Sequence, residues 1–116
     1  MSETFRSYAG AIIGATDTIV VPAAGSIGMG KTRSANSTAI IHSLFISNVD
    51  GINDIKVDVT RFDGTTSVYL GFQITIPAGT TLSWDKQITL ETLEMLRVRT
   101  PMSGDIEVTA SVVERV

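Results

Sequence analysis

Val68-Tyr-Leu-Gly-Phe-Gln-Ile-Thr-Ile-Pro-Ala-Gly-Thr-Thr-Leu-Ser-Trp-Asp-Lys-Gln-Ile-Thr-Leu-Glu-Thr-Leu-Glu-Met-Leu-Arg-Val98 decides the fold class. Its apolar, β-branched first third reads as a strand that stops at Pro77, which has no N–H to give to a ladder. Pro77-Ala-Gly-Thr80 is a turn, Leu82 and Trp84 mark a short strand, and the chain then returns into another. Residues 66–76 are the expected central strand, bending at Gly71.

Upstream, Ile55, Val57 and Val59 alternate with Lys56, Asp58 and Thr60, the period of a strand with one buried and one wet face. Phe62-Asp63-Gly64-Thr65 reads as the hairpin that joins it to the central strand, because Asp-Gly tolerates positive φ. Residues 38–47 carry apolar side chains on both parities, with Ile40, Leu44 and Ile46 on one face and Ile41 and Phe45 on the other. Both faces of that strand are therefore expected to be covered. Asn48 to Asp54 supplies a turn around Asp50-Gly51.

Downstream, Leu90, Leu93 and Leu96 have helical spacing, so a single helical turn over 90–95 competes with an irregular connection into a strand at 96–100. Pro101-Met-Ser-Gly104 is a turn, and Ile106, Val108, Ala110 and Val112 alternate with polar residues in a last strand. Near the start, residues 16–21 form a short strand closed by Pro22, with Ala11, Ile12 and Ile13 as an extension before it. The expected fold is all-β, an antiparallel β-sandwich of seven or eight short strands, with jelly-roll and immunoglobulin-like topologies left open. Residues 1–9 read as an N-terminal docking arm carrying Phe5 and Tyr8, and 10–116 as one domain.

Residues 22–37 are nearly all small, which gives a long loop within that domain. Long loops in compact domains tend to be functional. Gly25, Ile27, Met29, Lys31 and Arg33 are its candidate docking residues, and removing residues 25–34 is expected to leave the domain folded.

Composition limits the chemistry. The 116 residues carry a net charge of −3 with the basic residues scattered, which argues against a nucleic-acid surface. Cysteine is absent, so there is no disulfide or thiolate zinc site. No apolar run approaches the ~20 residues of a spanning helix, and the first residues lack a signal-peptide core, so neither a membrane span nor an ordinary secreted chain is expected. Yet 43% of the residues are hydrophobic, only 18% are charged, and the mean hydropathy is +0.25. A small domain cannot bury that much apolar surface alone, which points to a homo-oligomer or to a larger assembly; the oligomer expected is a trimer.

One motif has the letters of a catalytic site. Gly25-Ser-Ile-Gly-Met-Gly-Lys31-Thr32 matches the phosphate-binding loop, Gly-x4-Gly-Lys-Thr. Such a loop leaves a parallel strand and opens a helix, whereas this one is followed by β-branched sequence and hairpins. His42, the only histidine, is expected to be a hydrogen-bonded structural residue on an apolar strand. Asp50 and Asp54 read as turn residues, not calcium ligands. A carbohydrate-binding module would set Trp84, Tyr69 and Tyr8 on one face. No catalytic residue, cofactor or metal is expected.

Phe5-Arg-Ser-Tyr8, Thr18-Ile-Val-Val-Pro-Ala23, Ile41-His-Ser-Leu-Phe-Ile-Ser-Asn48, Ile74-Thr-Ile-Pro-Ala-Gly-Thr-Thr-Leu82 and Ile106-Glu-Val-Thr-Ala-Ser-Val-Val-Glu114 together resemble a family of small tailed-bacteriophage virion proteins. Relatives usually carry Glu-Glu-Gly-Asp where this chain has Glu91-Thr-Leu-Glu94. The resemblance implies a non-enzymatic virion component. That component is either a cement or decoration protein on the capsid shell, with the major capsid protein or other virion proteins as partners, or a part of the neck or tail.

Overall fold

The computed structural model describes residues 2–12, 17–100 and 105–116. Eleven strands run through them: β1 (Glu3–Ile12), β2 (Thr18–Val21), β3 (Ile27–Gly28), β4 (Lys31–Thr32), β5 (Thr38–Asn48), β6 (Ile55–Phe62), β7 (Ser67–Ile76), β8 (Thr81–Trp84), β9 (Ile88–Leu90), β10 (Met95–Arg99) and β11 (Ile106–Arg115). One antiparallel sheet has the order β1-β11-β5-β8, with β9 also paired to β5, and a second has the order β2-β10-β6-β7. β3 and β4 form a separate small hairpin. The turn read at 101–104, and residues 13–16 of the early strand readings, lie outside the described residues.

Alternation works as elementary geometry demands wherever the ladder is regular. Ile55, Val57 and Val59 of β6 and Ile106, Val108 and Ala110 of β11 are buried, and they join Leu96 and Val98 of β10 in one core cluster drawn from both large sheets. The molecule is elongated, 47 × 27 × 24 Å, with the core along its length.

Three expectations are corrected here. First, the two parities of β5 do not mean two covered faces. Ser43 lies opposite Ser111, but Ile41 lies opposite the very next residue, Val112, so β5 carries one extra residue at His42. This bulge flips the alternation: Ala39 and Ile41 are buried before it, Leu44 and Ile46 after it, and Phe45 is left 42% exposed on the outer side. His42 is itself exposed and is not a core histidine.

Second, residues 66–76 are not a central strand, since β7 is an edge of its sheet. Its partners step from Ile74 to Gly71 to Tyr69 as β6 steps from Val57 to Val59 to Thr60, so β7 is bulged at two places. Gln73 takes a positive φ of 49° at the first, and its N–H donates to Asp58 Oδ1 at 2.7 Å. Bulges twist an edge away from further pairing.

Third, the arm read at 1–9 is, from Glu3 onward, a paired strand. β1 pairs with β11 over its whole length, from Glu3 opposite Arg115 to Ile12 opposite Ile106. Residues 90–95 likewise hold no helical turn. Glu94 N–H donates to Glu91 O at 3.0 Å, and Glu91 N–H donates back to Glu94 Oε1 at 2.8 Å, closing a tight turn between β9 and β10.

The bulge makes neighbouring residues energetically unlike. Leu44→Ala should destabilise by roughly 2–5 kcal/mol, and Phe45→Ala by less than about 1 kcal/mol, in urea unfolding. Equal costs would mean that β5 is covered on both faces.

Candidate docking surfaces

The segment at 22–37 is folded onto the body. Ile27 pairs with Thr32 and Gly28 with Lys31, and the two residues at the tip, Met29 and Gly30, both have positive φ, 51° and 75°, as tight hairpins require. The segment with the phosphate-loop pattern is therefore a β-hairpin with no helix opening at Lys31. Met29 packs on β1, where a Cβ added at Gly10 would lie 2.6 Å from its sulfur, and Gly28 sits so close to Pro22 that a Cβ there would be 2.8 Å from the ring.

Arg33 holds this segment in place. It is fully buried, and its guanidinium donates to the carbonyls of Pro22 (2.8 Å) and Glu94 (2.8 Å) from Nη1. Nη2 donates to the carbonyls of Ser37 (2.7 Å), Leu90 (3.2 Å) and Glu91 (3.0 Å), and Nε to Ser37 Oγ (3.2 Å). Burial pulls its pKa down, opposed by the nearby Glu114 carboxylate, but a guanidinium stays charged. Carbonyl dipoles from both sheets' ends take the place of water around that charge.

Glu114 ties the same segment to β1 and β11. Fully buried, it accepts from the Tyr8 hydroxyl, from Arg6 Nε at 3.0 Å, and from the N–H and hydroxyl of Ser34 at 2.9 and 2.8 Å. Burial alone would raise its pKa. The bonds from Tyr8, Ser34 and Arg6 outweigh that and hold the carboxyl below the usual carboxylate range. Burial, then the bond to Glu114, pushes the Tyr8 phenol up.

The docking residues read from sequence therefore separate. Arg33 and Tyr8 are closed off from solvent and cannot touch a partner, which corrects their assignment. Met29 is half-buried on Gly10. Gly25, Ile27 and Lys31 face solvent, as does Phe5, which is 79% exposed. Trp84, Tyr69 and Tyr8 do not share a face, since Tyr8 is in the core and Trp84 packs against it. Tyr69 instead meets Phe72 edge-on, with ring centroids 4.8 Å apart. Asp50 accepts from the N–H groups of Ile52 (2.8 Å) and Asn53 (3.1 Å), which is turn chemistry. Among the described residues no group of three or more His, Asp or Glu could hold a metal, and no helix is long and apolar enough to cross a membrane.

The outer faces of the two large sheets differ in chemistry. On the β2-β10-β6-β7 sheet, Arg99 Nη2 donates to Asp58 Oδ2 at 2.8 Å, Arg97 Nη2 lies 3.5 Å from Asp17, and the Arg97 guanidinium stacks 3.9 Å above the Phe62 ring. That face is ion-paired, and the half-exposed rings of Tyr69 and Phe72 stand beside the Arg99–Asp58 pair on it. On the other sheet, the outward positions of β1 are Phe5, Ser7, Ala9 and Ala11, apart from Glu3, which pairs with Arg115 at the end. Opposite them on β11 stand Val113, Ser111, Thr109 and Glu107. A shallow depression of about 310 Å³ lies there, lined by Phe5, Arg6, Ser7, His42, Ser111, Val112 and Val113. This near-neutral face escaped the sequence reading because β1 was taken for an arm, although its Phe-x-Ser-x-Ala-x-Ala alternation was legible.

No family model and no curated protein matches this chain. Two crystal structures of pentameric capsid proteins isolated from metagenomic phage sequences are similar to it, at 15% identity with a TM-score of 0.45 and at 16% identity with a TM-score of 0.42. The matches cover 97% and 96% of this chain but only 62% and 59% of theirs, so it spans about three-fifths of their length.

Two outcomes follow. Arg33→Ala strands buried carbonyls and should cost on the order of 3 kcal/mol or more, and deletion of residues 25–34 should prevent stable folding, contrary to the sequence expectation. The pair Ile27→Ser with Lys31→Ser should stay within about 0.5 kcal/mol of wild type in the same urea titration. Second, a folded pKa below the unfolded value means that Glu114 stabilises at pH values above its ordinary 4.5 and loses that contribution as pH falls through the folded value. Stability should therefore drop less steeply between about pH 5 and pH 2 in Glu114→Gln than in wild type; parallel curves would contradict the linkage.

Proposed function

We propose that this chain is a non-enzymatic structural component of a tailed-bacteriophage virion, a cement or decoration protein that stabilises the head shell. The observation that carries the reading is the strand order. With the β3–β4 hairpin set aside as an insertion and β8 and β9 taken as one interrupted edge strand, eight strands alternate as β1-β11-β5-β8/β9 and β2-β10-β6-β7. We read this as a jelly roll, a sandwich of two Greek keys used by viral capsid and lectin domains alike. Fold alone does not assign a role.

The sequence resemblance to phage virion proteins selects between those two uses. The solvent-facing hairpin fits a shell contact: Ile27 is 68% exposed beside Lys31, on a segment that Arg33 keeps rigid. A preorganised contact loses little entropy on docking. In this reading Gly25, Ile27 and Lys31 meet the major capsid protein, and Met29 and Arg33 hold them in position.

Quantitative mass spectrometry of purified particles tests the proposal. A copy number in the hundreds is expected for a shell component. A few dozen copies or fewer would move the protein to the neck or tail, and absence from the particle would refute a virion role.

A further inference from the structure

We infer that the free edge of β1 pairs with the same edge of a second copy, antiparallel about a twofold axis that passes through Ser7 normal to the sheet, so that two molecules share one continuous sheet. The inference does not rest on where in a virion the protein sits.

The first observation is which edge is left open. The two large sheets have four edges, and three of them are blunted against further pairing. β7 is bulged at two places and holds Gln73 at positive φ, β8 and β9 are short strands separated by a break between Trp84 and Ile88, and β2 has four residues and a register shift against β10. β1 has none of these devices. Its ten residues keep one unbroken register with β11, contain no proline, and pair with no other described strand.

The second is where the polar groups of β1 point. Val116 N–H donates to Ser2 O at 3.0 Å, which makes Ser2 and Val116 a hydrogen-bonded pair, so by alternation Thr4, Arg6, Tyr8, Gly10 and Ile12 make the bonds to β11. The N–H and C=O groups of Glu3, Phe5, Ser7, Ala9 and Ala11 are therefore directed away from β11, out of the free edge. The side chains of these same residues are exposed.

The third names the occupant: β1 is its own complement. Pairing two copies about Ser7 sets Glu3 against Ala11, Phe5 against Ala9 and Ser7 against itself, so each large outer side chain meets a small one and no like charges are opposed. Residues 3–11 of the two copies then exchange about ten backbone hydrogen bonds. The neighbouring registers are worse. An axis at Arg6 opposes two guanidinium groups, and an axis at Tyr8 opposes two rings already packed in the core and leaves Glu3 unpaired. Charge agrees, because Glu3 is ion-paired to Arg115 and Arg6 to Glu114 within one chain, which leaves this edge neutral on a protein of net charge −3. The inward charge of Arg6, which would guard an edge if it were free, is thereby neutralised. A twofold pairing closes at two, a dimer in place of the trimer expected from sequence.

Sedimentation equilibrium and amide exchange of the full chain test the inference. Wild type is expected near about 25 kDa, twice the 12.4 kDa chain mass. The amides of Phe5, Ser7 and Ala9, which have no ladder partner within one chain, should be nearly unprotected at roughly 1 µM protein and protected at roughly 100 µM. Ser7→Pro, which removes an outward N–H, should raise the dissociation constant at least about tenfold. Because the axis sets residue 7 against itself, Ser7→Lys and Ser7→Asp should each weaken the dimer, and an equimolar mixture of the two should restore it. A monomer at roughly 100 µM, an odd-numbered oligomer, a dimer whose Phe5, Ser7 and Ala9 amides stay unprotected, or a mixture no tighter than its components would overturn the inference. The exchange measurement needs no substitution, so it decides the matter even where a variant fails to fold. None of these outcomes bears on the particle copy number, so the two readings fail separately.

Discussion

Everything at one end of this molecule depends on a single buried cation. Arg33 sits on a segment of small residues that has no core of its own, and its guanidinium reaches carbonyls at the end of β2, ahead of β5, and in the turn between β9 and β10. β2 and β10 belong to one sheet and β5 and β9 to the other, so the arginine ties both together where the apolar core ends. A lysine could not do this, since three donors on a point charge cannot serve six acceptors fanned around a plane. Charge burial, usually destabilising, is here offset by carbonyl dipoles that would otherwise face an unfilled interior.

Glu114 extends the same logic along the domain. Its acceptor oxygens gather Arg6 and Tyr8 from β1 and Ser34 from the hairpin segment, so the edge strand and the insertion are held by one carboxylate. With the interior of that edge fully occupied, the variety in the molecule lies on its two outer faces. One carries ion pairs with the rings of Tyr69 and Phe72 beside them. The other presents serine, alanine and two phenylalanines.

Much of this was legible in the residues. The alternation at Ile55, Val57 and Val59 and at Ile106, Val108 and Ala110 follows from pleat geometry alone, and the turns at Asp63-Gly64 and Pro77-Ala78-Gly79 follow from their φ requirements. What failed, failed for identifiable reasons. One inserted residue at His42 turned a one-sided strand into an apparently two-sided one, because a bulge leaves no signature in composition. β1 passed for an arm because Phe5 and Tyr8 lie on opposite faces of it, one bare and one buried. Arg33 was read as a docking residue because its acceptors lie between 4 and 61 residues away and nothing local announces them.

Native-state hydrogen exchange measures most directly whether the arginine makes the insertion part of the fold. The amides of Ala24, Gly25 and Arg33 donate to Thr92, Arg33 and Ser26 carbonyls, each at 2.9 Å. If the buried guanidinium locks the segment to both sheets, these amides exchange only through global unfolding, with the same free energy as those of β5 and β11. Exchange through a local opening several kcal/mol below the global value would show that the hairpin is an appendage and that the sheets are joined without it.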